Sequence, residues 1–126
     1  MSTRLTRRVV AKTADYTIVY PMDAPGTIFT NNGATGAVIF TLPTASKALL
    51  GVEYLFKTVV DYDVTVKPPA VDTALSLNDL TADSLAASTS SQKIGAEMKA
   101  VCVPTAAGYS WALSGVAVGH TYTLAT

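Results

Sequence analysis

Apolar and polar positions alternate with period two through most of the chain, and turn residues interrupt the alternation about every ten positions. In DYTIVYP, residues 15–21, Tyr16, Ile18 and Tyr20 share one side of a strand while Asp15, Thr17 and Val19 share the other. Pro21 and the DAPG run at 23–26 end that strand. Residues 27–30 are β-prone, and NNGATG at 31–36 then supplies Asn32-Gly33 and Gly36, which tolerate a left-handed backbone. Val38, Phe40 and Leu42 face one way in the next run, with Ile39 and Thr41 opposite. Two extended runs around Asn-Gly predict a hairpin, and Pro43, with no N–H to donate, stops it.

TASKALLG, residues 44–51, predicts a turn or two of helix with Thr44 as N-cap and Gly51 at the C-terminal stop. The following strand sets Val52, Tyr54, Phe56 and Thr58 on one face. A DYD turn at 61–63 leads into Val64 and Val66, so a second hairpin is expected. Signals weaken over 69–95: Leu75 and Leu77 mark a short strand, and TADSLAASTSSQ at 81–92 reads as a long surface loop or helical turn. MKAVCVP at 98–104 and YSWALS at 109–114, joined by TAAG, form the last clear pair. In the tail, Thr121, Tyr122, Thr123 and Leu124 alternate as a strand suited to its own sheet or to a neighbouring subunit's.

These elements predict an all-β fold: a β-sandwich or jelly-roll-like barrel of about seven to nine short antiparallel strands. Residues 1–12 read as an extended N-terminal arm and 13–126 as a single β domain. No repeat of the fixed period that marks a solenoid is visible.

Charge adds a second layer. Only 14% of residues are charged against 49% hydrophobic, which points to a surface partly covered by other subunits. The net charge of zero hides an asymmetry: Arg4, Arg7, Arg8 and Lys12 put four bases and no acid in the first twelve residues, so the body is acidic. Such an arm suits an acidic protein neighbour or nucleic acid. Nucleic acid is not expected, because the aromatics fall on apolar faces rather than beside positive charge. No apolar window reaches the length of a membrane helix, and no apolar core of a secretory signal follows Met1. Synthesis in a reducing cytosol is the expectation.

Candidate chemistry is sparse. A Ser–His–Asp arrangement would rest on the single histidine, His120, which reads better as an exposed or locally bonded tail residue. Cys102 sits in an apolar run and reads as a small buried hydrophobe. Asp61 and Asp63 share a strand face, an arrangement that a tight turn explains better than Ca²⁺ does. GATGAV lacks the lysine and following helix of a phosphate loop. Trp111 reads as a core anchor before a sugar platform. No catalytic, cofactor or metal site is expected, and no enzyme activity.

Asp23, Gly26, TIFTN at 27–31, GATGAV at 33–38 and FTLP at 40–43 resemble a segment of small bacteriophage virion proteins. The likeness continues through residues 51–56 and 64–68 and through MKAVCV and GYSWAL, so that it spans most of 23–113. Proteins of this kind are head decoration (cement) proteins or modules of head and tail fibres, commonly trimeric. The resemblance implies a capsid decoration protein that bridges major capsid protein subunits as a homotrimer. Its place would be the virion surface, after assembly in the bacterial host cytoplasm. Arg4, Arg7, Arg8 and Lys12 are the expected capsid contacts. A fibre module is the alternative within virions, and a carbohydrate-binding β-sandwich the alternative outside them.

Overall fold

Asn32-Gly33 does not close a hairpin. The computed structural model describes residues 6–69 and 72–126. Through them run β1 (Val9–Ala11), β2 (Tyr16–Thr17), β3 (Ile28–Thr30), β4 (Val38–Thr41), β5 (Glu53–Lys57) and β6 (Val64–Lys67). These are followed by β7 (Ala74–Ser76), β8 (Asp79–Ala82), β9 (Ser84–Ala87), β10 (Glu97–Thr105), β11 (Gly108–Gly115) and β12 (Thr123–Ala125). The fold is all-β, as the alternation predicts, and the strands form two mixed sheets. The larger runs β1-β3-β5-β10-β11-β7-β8 and the smaller β12-β9-β6-β4-β2.

Up to β6 the chain crosses between the sheets at every turn. Odd-numbered strands enter the larger sheet and even-numbered strands the smaller. Successive visits to one sheet stack in parallel: Val9 beside Ile28 beside Leu55, and Tyr16 beside Phe40 beside Val66. The first half of the molecule is therefore three stacked windings. Their steps are uneven, 19 and 27 residues in the larger sheet and 24 and 26 in the smaller, which is why no fixed repeat shows in the sequence.

This corrects the two early hairpins and the expectation of purely antiparallel pairing. β3 and β4 lie in different sheets, as do β5 and β6. Alternation with period two fixes which side chains face the core, and says nothing about which strand lies alongside. A glycine turn serves equally in an arch that carries the chain from one sheet to the other; Gly33 has φ +83° in such an arch. Asn31 is the residue that makes the arch cohere. Fully buried, its side chain serves three backbone groups of the next winding. Oδ1 accepts from Val59 N (2.8 Å) and Val60 N (3.1 Å), and Nδ2 donates to Val60 O (3.0 Å).

The described strands number twelve rather than seven to nine, and most of the excess comes from weakly patterned sequence. The expected loop at 81–92 instead holds part of β8 and all of β9, and β9 lies against β6 with Leu85 and Ala87 fully buried. Near Leu75 and Leu77 the strand exists, but Ala74 and Ser76 face inward while Leu77 is exposed with φ +47°. Small residues fit there because β7 packs closely beside β11; Ser76 Oγ donates to Leu113 O at 2.7 Å. The expected helix is a single 3-10 turn, Lys47–Leu49, with Ser46 rather than Thr44 at the N-cap. Val9–Ala11, within the expected arm, forms the parallel edge strand of the larger sheet.

Pairing of β10 with β11 follows expectation, from Met98 beside Gly115 to Thr105 beside Gly108. The inner faces of both sheets contribute to one apolar cluster. Phe29 lies 5.4 Å from Phe40, 5.7 Å from Phe56 and 5.9 Å from Tyr54, centroid to centroid. Phe29 and Phe56 belong to one sheet and Phe40 to the other, so this contact joins the two. Burying each such ring contributes about 1.5–3 kcal/mol.

Candidate interaction surface

The described part of the basic segment, residues 6–12, lies on its own chain. Arg7 approaches Glu53 at 3.7 Å, Arg8 approaches Asp23 at 3.4 Å, and the Lys12 ammonium sits 3.8 Å above the Tyr16 ring. Both arginine pairs are long and the arginines themselves about half exposed, so each contributes little to stability. Arg4 lies outside the described residues. Behind Arg8, Asp23 is buried and acts as a hub. Its Oδ2 accepts from Tyr16 OH at 2.6 Å and from Val19 N at 2.9 Å, while its carbonyl accepts from Tyr54 OH at 2.7 Å. The hydrogen bond to Asp23, then burial, raises the Tyr16 phenol above its ordinary value. Burial, then the Asp23 charge, pushes Tyr54 up to about 12.

The tail is fastened too. β12 pairs antiparallel with β9, so Thr123 and Leu124 join the chain's own sheet and form its outer strand. Thr121 N donates to Gln92 Oε1 at 2.5 Å, and Ser88 Oγ donates to Thr123 Oγ1 at 3.0 Å. Tyr122 OH donates to Glu97 O at 3.0 Å and accepts from Ala117 N at 3.2 Å, while the ring covers Gly115. His120 Nδ1 lies 2.7 Å from Gln92 O, 28 positions back along the chain.

Other candidate residues are occupied structurally. Trp111 is buried and its Nε1 donates to Pro43 O at 2.6 Å, so its face is closed to a sugar. Cys102 is buried, and burial raises its thiol pKa. Asp63 bonds Lys93 Nζ at 2.8 Å, which raises the lysine, and no group of three or more metal-ligating side chains occurs among the described residues.

Twelve large apolar side chains of the described residues are exposed, and half of them lie in two areas. The turns at 92–95 and 116–121 meet through His120 and Gln92, and that corner exposes Ile94, Val116 and Val118, the last at 98%. A second area surrounds β8, where Leu77 and Leu80 stand 60% and 73% exposed. Two clefts of about 270 and 360 Å³ share Leu80 there, the larger reaching the β10–β11 turn. Sequence reasoning missed both areas because each is assembled from turns and a strand that alternation does not mark. No family model and no curated protein sequence matches this chain.

Proposed function

We propose that the chain is a non-enzymatic structural protein of a phage particle, a two-sheet β-sandwich that decorates the capsid and acts as a homo-oligomer, by expectation a trimer. The resemblance over residues 23–113 supplies the particle. The observation that carries the assembly reading is the contrast between interior and exterior. Asp23, Asn31, Trp111 and Ser76 spend their polar groups on the chain's own structure, while Ile94, Val116, Val118 and Leu80 stand in water. Apolar groups grouped in this way gain free energy only when something covers them.

Arg7 and Arg8 stay about half exposed, and beside these expected contacts the corner of Ile94, Val116 and Val118 offers an apolar contact for major capsid protein. A copy seated across two capsid subunits adds an interface that must break before either is lost, and it stabilises the shell by linkage. Co-sedimentation with empty phage capsids tests this. Bound protein at a fixed ratio to capsid subunits and a raised shell melting temperature are expected, with binding weakened at least tenfold by Val118→Asp. Protein left in the supernatant on every shell, or a Val118→Asp variant that binds as well as wild type, removes the reading.

A further inference from the structure

We infer that the two outer strands of the larger sheet, β1 and β8, are complementary docking edges through which copies of this chain join head to tail. The inference deepens the assembly reading by naming the partner and the surfaces, and it requires no capsid.

Three observations carry it. The first is charge. Arg7, Arg8 and Lys12 flank β1 with no acid among residues 6–12, while residues 72–83, which carry β7 and β8, hold Asp72, Asp79 and Asp83 with no base. These two segments supply opposite edges of one sheet. Two β8 edges brought together would oppose carboxylates, and two β1 edges would oppose cations; β8 against β1 sets unlike charges side by side. Arg7 and Arg8, about half exposed in long single pairs, retain donors for a second carboxylate.

The second is strand direction. β1, β3 and β5 are parallel, β10 opposes β5, β11 opposes β10, β7 follows β11, and β8 opposes β7. β8 therefore runs opposite to β1. A copy added with its sheet continuing that of the first brings its β1 antiparallel to β8, the pairing that forms the straighter hydrogen bonds.

The third is the state of the edges. Ile28 N donates to Arg8 O (2.8 Å) and Lys12 N to Thr30 O (2.9 Å), so by alternation the backbone groups of Val9 and Ala11 face away from the sheet. Val9 is 63% exposed beside them. On β8, Leu80 is 73% exposed between the two clefts, a site fit for an aliphatic side chain from the partner. Asp79 Oδ1 already accepts from Thr81 N at 2.9 Å, which blunts β8 against indiscriminate strand addition and leaves side chains to select the partner.

A contact between unlike surfaces cannot close as a two-fold dimer; it gives rings of three or more copies, or filaments. Sedimentation equilibrium of the full chain is the test, with Val9→Glu and Leu80→Arg as edge variants and Ala11→Glu in place of Val9→Glu should that variant lose its circular-dichroism spectrum. Wild type is expected at three or more copies, each variant alone as monomer, and an equimolar mixture of the two as an assembly again. A wild-type monomer at 100 µM, a closed dimer, or variants that assemble alone like wild type overturns the inference. Rescue on mixing without any shell binding would leave it standing and remove the capsid reading; shell binding by both edge variants with no self-association would do the reverse.

Discussion

The ring of Tyr122 occupies the space that any side chain at residue 115 would need. A Cβ built at Gly115 falls 2.1 Å from the nearest ring carbon, and the phenol beyond it bonds Glu97 and Ala117. Gly115 ends β11 and Tyr122 stands just before β12, so one aromatic ring ties the tail to the last strand of the hairpin. Gly115→Ala should therefore destabilise the protein by about 1–3 kcal/mol, the range for overpacking. The same change in a Tyr122→Ala background should be close to neutral. Urea denaturation of the four proteins in this cycle measures the coupling, and additive effects would show that the ring and the glycine act independently.

Asn31 supplies three hydrogen bonds from a fully buried position. Asn31→Ala removes the acceptor of Val59 N and Val60 N, while Val60 O keeps its bond from Tyr62 N, at a cost of about 1–3 kcal/mol. Hydrogen exchange should place the first loss of protection at residues 58–62. Protection lost uniformly across the chain would mean that the windings do not open separately.

Raised tyrosine pKa values make the fold sensitive to alkali. Tyr16 and Tyr54 hold their protons more tightly folded than unfolded, with Tyr54 near 12 against an ordinary 10. Above pH 10 the unfolded chain binds fewer protons than the folded one, so stability is fully present below 10 and falls as pH rises towards 12. Tyrosinate absorbance at 295 nm should show late-titrating phenols whose ionisation coincides with unfolding. Tyr54→Phe should flatten part of the alkaline fall. An unchanged pH profile in that variant would assign the effect elsewhere.

Cys102 should behave as an inert hydrophobe. It is buried in β10 and burial raises its thiol pKa, so both access and thiolate fraction are low. Reaction with an aromatic disulfide reagent should proceed at the rate of unfolding. A fast stoichiometric reaction in native buffer would contradict the packing described.

Trp111→Phe removes the donor to Pro43 O and leaves that carbonyl unserved beside a small void. A loss of about 1–3 kcal/mol is expected. Because the indole lies inside the core, wild-type tryptophan emission should be blue-shifted and indifferent to added sugars. A sugar-dependent emission change would reopen the carbohydrate reading.

The sequence shows faces better than neighbours. Val38, Phe40, Leu42, Tyr54, Phe56, Val64 and Val66 are all buried where alternation places them. That pattern depends only on the two-residue period of an extended chain. Pairing depends on where the chain goes after the turn, and NNGATG reads alike in a hairpin and an arch. What separates the two is Asn31 reaching a loop almost thirty positions away, a contact with no local signature. β9 was hidden for a different reason: Ser84, Ala86 and Ala87 are too small to show alternation, and their size is what lets the strand lie close to β6. The charge asymmetry was visible in the sequence, but its placement on opposite edges of one sheet was not.

The crossing of the chain between sheets at every early turn has a consequence for its birth on the ribosome. No strand in the first half has its ladder partner next to it in translation order; β1 and β2 wait for a full winding to emerge before either gains a hydrogen-bonded neighbour. The longest hairpin, β10–β11, which zips locally, lies downstream of all six. Nascent chains should thus linger with open edges and bare valines and phenylalanines, and yield in a host cell should respond to chaperone supply and to growth temperature more steeply than the finished protein's stability would suggest.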